Sequence, residues 1–148
     1  MVLIDVNVLV YAHRRDCMNH NAFRGWVENC INSDQAYGMS DLVLSAFLRI
    51  VTHPRIFKSP SKMEDALRFV SEVRGPANCV AIAPGDRHWE IFTRLCRSVG
   101  VKGNLVTDAY LAALAIESGS EWITTDRDYS RFPGLHWRHP LNQESGNS

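Results

Sequence analysis

The chain has 148 residues, 45% of them hydrophobic and 22% charged, which is the profile of one globular domain with a core large enough to stand alone. Lys+Arg and Asp+Glu both number 16, so no global positive field draws the protein onto nucleic acid; this weighs against a non-specific coating protein, but not against a nuclease whose acidic site offsets a basic rim. No apolar run approaches the roughly 20 residues of a membrane span, and the first residues lack a leader pattern, so no membrane role and a cytoplasmic location are expected.

Val2 to Val10 is almost continuously apolar and β-branched, interrupted by Asp5 and Asn7, and predicts the central strand of a parallel sheet. Ala22, Trp26, Val27, Cys30 and Ile31 recur at helical spacing, which predicts a helix from about His20 to Asn32. Tyr37-Gly38-Met39 reads as a short second strand. Ser40 offers an N-cap to a helix carrying Leu44, Phe47, Leu48 and Val51, which must stop before Pro54. Ser61-Lys62-Met63-Glu64 has the pattern of a capping box, and the helix behind it presents Met63, Leu67, Val70 and Val73 on one face. Cys79 to Ala83 alternates as a strand. Asp86 is positioned to cap a helix with Trp89, Phe92, Cys96 and Val99 inward and Gly100 just past its end. Asp108 to Ser118 is the most apolar helix and ends at Gly119; Trp122 to Thr125 is the strand after it. The polar stretch 141–148 is expected to be disordered, leaving 1–140 as one domain.

Strands alternating with helices predict an α/β sandwich around a central, mainly parallel sheet of four to five strands, with right-handed crossovers. Sites in such folds lie at the carboxyl ends of strands, and Asp5 and Asp126 each follow an apolar strand, so they should share that edge. The four cysteines, Cys17, Cys30, Cys79 and Cys96, have neither C-x-x-C spacing nor nearby His partners, and the last three read as reduced core residues.

Asp5, Asp108 and Asp126 each sit at the end of an apolar run. A carboxylate in such a place is held at the rim of a core, and several converging on one rim repel each other unless a cation lies between them. Asp5, inside the most apolar segment, costs several kcal/mol unless it is paired. This set suggests a hard divalent metal bound by oxygen, Mg²⁺ or Mn²⁺, and hence metal-assisted phosphodiester hydrolysis. Asn7 would be a neutral oxygen partner or hydrogen-bond donor that positions water or a phosphate, and Thr107 and Thr124 would orient the carboxylates. Asp108 could instead be a first-turn helix charge and Asp126 a turn residue. Arg14, Arg15, Arg127 and Arg131 follow site-bearing segments and are candidate phosphate contacts. Trp26 and Trp89 read as packing, and His88 as a helix-start residue.

Three blocks in order and spacing resemble PIN-domain ribonucleases of the VapC toxin type, in the branch common in mycobacteria: Leu3-Ile4-Asp5-Val6-Asn7-Val8-Leu9, Asn104-Leu105-Val106-Thr107-Asp108-Ala109-Tyr110-Leu111-Ala112-Ala113-Leu114-Ala115, and Ile123-Thr124-Thr125-Asp126-Arg127-Asp128-Tyr129. Phe47-Leu48-Arg49-Ile50-Val51-Thr52-His53-Pro54-Arg55 and His88-Trp89-Glu90-Ile91-Phe92 add to the likeness, which runs from about Val2 to Trp137. The resemblance implies a PIN-like three-layer α/β/α sandwich and a Mg²⁺- or Mn²⁺-dependent endoribonuclease toxin that hydrolyses an RNA phosphodiester with metal-activated water. It also implies tRNA or rRNA as substrate, a homodimer, and inhibition by a cognate antitoxin protein. Asp5, Asp108 and Asp126 match the family's first, third and fourth acids, as metal ligands.

The family's second acid, a Glu in a pattern like A-E-L-L-R, is missing. Here Ser45-Ala46-Phe47-Leu48-Arg49 sets Ala46 in that place. Asp41 could reach the site from the helix start or serve only as a helix-terminal charge, and Asp128 or substrate phosphates could complete the site. The alternative function is a degenerate PIN domain that binds RNA or antitoxin without cutting. A haloacid-dehalogenase phosphatase would want a second Asp where Asn7 stands, and a phosphoaspartate receiver would want a late lysine; neither is present.

Overall fold

The computed structural model describes residues 1–142. Five strands form one sheet in the order β3-β2-β1-β4-β5, with every neighbouring pair parallel. They are β1 (Val2–Ile4), β2 (Tyr37–Met39), β3 (Cys79–Ala81), β4 (Glu121–Ile123) and β5 (Trp137–Arg138). Among the described residues six helices flank the sheet: α1 (Val6–His13), α2 (His20–Asn32), α3 (Asp41–Val51), α4 (Met63–Arg74), α5 (His88–Val99) and α6 (Asn104–Ser118). The chain winds one way from β1 to β3, then crosses back to β4 on the far side of β1. With right-handed crossovers this reversal puts α5 and α6 on the opposite face from α1 to α4, and the two sets pack among themselves. The α/β/α sandwich expected from the pattern is thus the fold, with β1 in the middle.

The first strand is shorter than its apolar run. Val2 to Val10 divides into β1 and α1, and the join is Asp5, whose Oδ1 accepts the Val6 N–H at 2.7 Å as a helix N-cap. A fully buried helix is apolar on all sides, so periodicity alone does not separate it from a buried strand. The β-branched valines cost only a few tenths of a kcal/mol each in a helix, far less than the burial of Val8, Leu9 and Val10 returns.

Three further expectations need correcting. Helix α6 starts at Asn104, not at Asp108, because Gly103 turns the chain with a positive φ of 58°; Asp108 therefore lies in the second turn rather than the first. The capping box at Ser61 is not made, since Ser61 Oγ pairs with His13 Nε2 at 3.0 Å and accepts from Arg14 Nη1 at 3.2 Å. Helix α4 accordingly buries Ala66 and Val73, with Met63 and Leu67 exposed. In α5 the inward residues are His88, Ile91, Phe92 and Leu95, whereas Trp89 is 68% exposed. Asp86 does not cap that helix; Glu117 of α6 accepts from the Gly85 and Arg87 N–H groups at 2.7 and 2.9 Å instead.

The helix over His20–Asn32, the strand over Tyr37–Met39 and the Ser40 cap on α3 stand where the pattern set them, as do the left-handed glycines 100 and 119 that end α5 and α6. All four cysteines are free thiols, partly buried against the core. Among the described residues no helix is long and apolar enough to cross a membrane. The polar tail expected over 141–148 lies outside the described residues from 143 onward, and Leu141, within them, packs against the core.

Gly38 occupies the middle of β2, where an added Cβ would stand 2.9 Å from Ile82 Cγ1 and 3.2 Å from Leu3 Cδ1. Gly38→Ala should therefore cost about 1–3 kcal/mol, seen as a lower urea midpoint at unchanged slope. A midpoint equal to the parent's would mean that the sheet at this point is looser than described.

Candidate active site

The winding of the sheet reverses between β1 and β4, and the residues that leave these two strands meet at their carboxyl ends. Asp5 leaves β1. Its backbone N–H still pairs with Ile123 O of β4, while its side chain is turned into the join and only 3% of the residue is exposed. Oδ1 caps α1, and Oδ2 accepts from Thr124 Oγ1 at 2.7 Å and from Asn7 Nδ2 at 3.4 Å. Thr124 Oγ1 in turn accepts from Asn7 Nδ2 at 3.3 Å and from the Asp126 N–H at 3.1 Å. Asn7 Oδ1 accepts from the Thr125 N–H at 3.3 Å. One small polar network thus ties both strand exits together and sets the positions of two carboxylates.

Asp108 arrives from the second turn of α6, and the hydroxyl of the buried Tyr129 donates to its Oδ1 at 3.1 Å. Asp126 opens the 3₁₀ turn Arg127–Arg131, its Oδ1 accepting from the Asp128 N–H at 2.9 Å. Asp5, Asp108 and Asp126 line one cavity of about 340 Å³, together with Asn7, Thr107 and Tyr129. Its facing wall is α3, through Leu42, Ser45, Ala46 and Arg49.

The carboxylates strain against one another. Burial, reinforced by the charges of Asp108 and Asp126, pushes the Asp5 carboxyl up to about 6 despite its hydrogen bonds to Thr124 and Val6. Asp108 is raised as well, by burial first and then by Asp126 and Asp128, against the lowering effect of the Tyr129 hydroxyl. Tyr129 is itself held far above the ordinary phenol range by burial and by the three acids around it, so it remains a neutral donor. Among the described residues no salt bridge joins any of the three aspartates to a cationic side chain.

Asp5, buried, and Asp108, half-buried, bind protons more tightly than usual and have no cationic partner among the described residues, which suits a divalent cation. Among the described residues no three His, Cys, Asp or Glu side chains stand close enough to cage an ion by themselves. A hard ion such as Mg²⁺ does not need that, because it takes one or two carboxylates and keeps its waters. The all-oxygen donor set fits Mg²⁺ or Mn²⁺ and disfavours zinc, which prefers nitrogen and sulfur.

Other candidates fall elsewhere. Asp41 is exposed and paired with Arg74 Nε at 2.9 Å, away from the cavity. Asp128 is exposed and does not line the cavity, with Arg131 3.6 Å from it. Arg14 is tied up with Asp16 at 2.7 Å, with Ser59 O, and with the Phe57 ring below it. Asn7 is a brace between strand exits, its amide bonded at both ends. Ala46 does face the cavity, so the wall where a second acid would stand carries none. Tyr129, Ser45 and Arg49 also line the cavity, and the sequence marks them only by a tyrosine three residues after Asp126 and an arginine three after Ala46.

A parallel α/β sheet with acids gathered at its winding reversal defines a class of acid-centred α/β proteins. Comparison with known proteins narrows it. The PIN domain family model matches residues 2–135. Ribonuclease VapC43 of Mycobacterium tuberculosis is 41% identical over 98% of this chain and 99% of its own length. Ribonuclease VapC25 of the same organism is 39% identical over 95% of this chain and 100% of its own. The crystal structure of VapBC2 from Rickettsia felis, bound to a promoter DNA fragment, superposes with a TM-score of 0.69 at 18% identity, covering 93% of this chain and 98% of that one. The chain belongs to the PIN-domain family, and within it to the VapC ribonucleases.

Ionised Asp5 opposes folding when no cation is present. Below pH 3.8 the folded and unfolded states are both protonated and nothing is lost. From there to about 6 the unfolded chain releases the proton first, so stability falls as pH rises, by up to about 3 kcal/mol once past the folded value. Asp5→Asn in EDTA should therefore melt above the parent at pH 8, with the gap closing at pH 4. A parent that melts higher at pH 8 would mean that its cap and Thr124 bonds outweigh the buried charge.

Proposed function

We propose that this chain is a metal-dependent endoribonuclease, the toxin of a toxin–antitoxin pair, and that it hydrolyses an RNA phosphodiester to leave a 5′-phosphate and a 3′-hydroxyl. One observation carries the reading: Asp5, Asp108 and Asp126 converge on a single cavity without a cationic partner among the described residues, in a chain 41% identical to a VapC ribonuclease along nearly its whole length. Mg²⁺ or Mn²⁺ is the cofactor those oxygen donors favour. When bound, such an ion supplies positive charge to the phosphoryl oxygens and lowers the pKa of water beside it.

The protein's own part is to hold the three carboxylates ready. Asp5 is fixed by the Val6 N–H and Thr124, and it sheds its proton as pH rises through about 6. Asp108 is oriented by the Tyr129 hydroxyl, and Asp126 by the Asp128 N–H. Asn7 keeps the two strand exits in register, so its role is positioning.

The proposed substrate is tRNA or rRNA. A cognate antitoxin and a homodimer are the proposed protein partners, and the VapBC assembly of like fold supports the first. The RNA targets lie in the cytoplasm, where the toxin would act. Residues 1–140 are proposed to work as one domain. A second reading, a domain that binds RNA or antitoxin without cutting, draws on Ala46 in the cavity wall.

Incubation with total bacterial RNA decides between them. The expected result is discrete fragments with Mg²⁺ or Mn²⁺, none with EDTA, and, at sub-saturating metal, a rate that climbs as pH passes about 6 because the ion then competes with the Asp5 proton. Asp5→Asn should lose roughly 100-fold or more. RNA left intact with either metal, or an Asp5→Asn protein that cuts at the parent's rate, would sink the assignment.

A further inference from the structure

The three carboxylates of the cavity come from β1, α6 and the exit of β4, and the wall facing them is α3. Along α3, Leu42, Ser45, Ala46 and Arg49 form a stripe at three- and four-residue spacing, so they share one side of the helix. That stripe bears no acid. Arg49 is the one cationic side chain among the described residues that line the cavity. It is exposed, and its guanidinium enters no ion pair or hydrogen bond among the described residues. A cation in the last turn suits the helix dipole wherever it lies around the helix, so the dipole does not account for its place on the cavity side.

Charge gives the place its meaning. An RNA phosphate entering this cavity approaches three aspartates, and one divalent ion leaves them net negative. Arg49 is the positive charge that the described residues leave on the walls. Its planar fork of donors matches the two non-bridging oxygens of a phosphodiester. We propose that Arg49 binds the phosphodiester under attack from the side opposite the carboxylates, supplying the positive charge that this wall otherwise lacks. The assignment rests on the ribonuclease reading above and adds a substrate-contacting residue to it.

The test uses the full chain, total bacterial RNA as probe, and Mg²⁺, with cleavage rates at limiting substrate followed over a series of KCl concentrations. Arg49→Gln and Arg49→Lys are compared with the parent, beside melting temperature and Mn²⁺ binding measured without RNA. Arg49→Gln is expected to lose roughly 100-fold in rate. It should also flatten the dependence of log rate on log salt by about 0.7, the share of one phosphate contact on a single strand. Arg49→Lys should recover the slope and part of the rate, and neither change should lower the melting temperature or Mn²⁺ affinity. Parental rate and slope in Arg49→Gln would overturn the assignment while leaving the ribonuclease reading intact. So would a rate loss matched by lost Mn²⁺ affinity at unchanged slope, which marks a residue that supports the metal. A parent that cuts no RNA fails at the earlier step and takes both down together.

Discussion

The bond pair on the carboxylate of Asp5 joins the fold to its candidate site. One oxygen ends the central strand and starts the first helix by capping Val6, and the other reaches across to Thr124 on the neighbouring strand exit. A side chain used in this way has a single orientation, buried at the seam where the winding of the sheet reverses. Every other site residue is placed relative to that seam. Thr124 hands the register on to Asp126, Asn7 locks the two exits together, and α6 lays Asp108 over the same opening.

Such a seam costs stability when nothing fills it. Asp5 holds its proton to about pH 6, Asp108 is raised as well, and a third acid stands beside them. Folding assembles mutually repelling carboxylates that the unfolded chain keeps apart, and the core behind them supplies the free energy to do so. Leu3, Ile4, Trp122 and Ile123, all fully buried in β1 and β4, anchor the strands from which two of the acids emerge. A cation bound by these acids would recover part of that cost, and metal binding would then be linked to folding through the same residues.

Much of this was legible in the chain. Helix spacing marked α2, glycines marked the ends of α5 and α6, and the acids at the ends of apolar runs pointed to one edge of a parallel sheet. The parts that were not legible share a cause. Val2 to Val10 reads alike as buried strand or buried helix, and only the cap made by Asp5 decides. Ser61 follows the capping-box pattern, yet its hydroxyl goes to His13 and Arg14, partners that lie 48 and 47 residues away. Trp89 looks like core by spacing, but α5 turns His88 and Phe92 toward Tyr110 instead. Arg49 and Tyr129 take their places in the cavity wall only through the packing of α3 and the 3₁₀ turn around it. Local pattern sets the elements, and long-range pairing decides which of their side chains work together.

The central claim is that the strained carboxylates at this seam are a divalent-cation site. Calorimetric titration of Mn²⁺ into the parent and into Asp5→Asn, at pH 6 and pH 8 in buffers of different ionisation enthalpy, tests it most directly. The account predicts that the parent binds Mn²⁺ with release of about half a proton at pH 6 and almost none at pH 8, because the ion displaces the proton of Asp5. It also predicts that Asp5→Asn binds much more weakly and releases no such proton. Absence of binding, or equal affinity in Asp5→Asn, would contradict it.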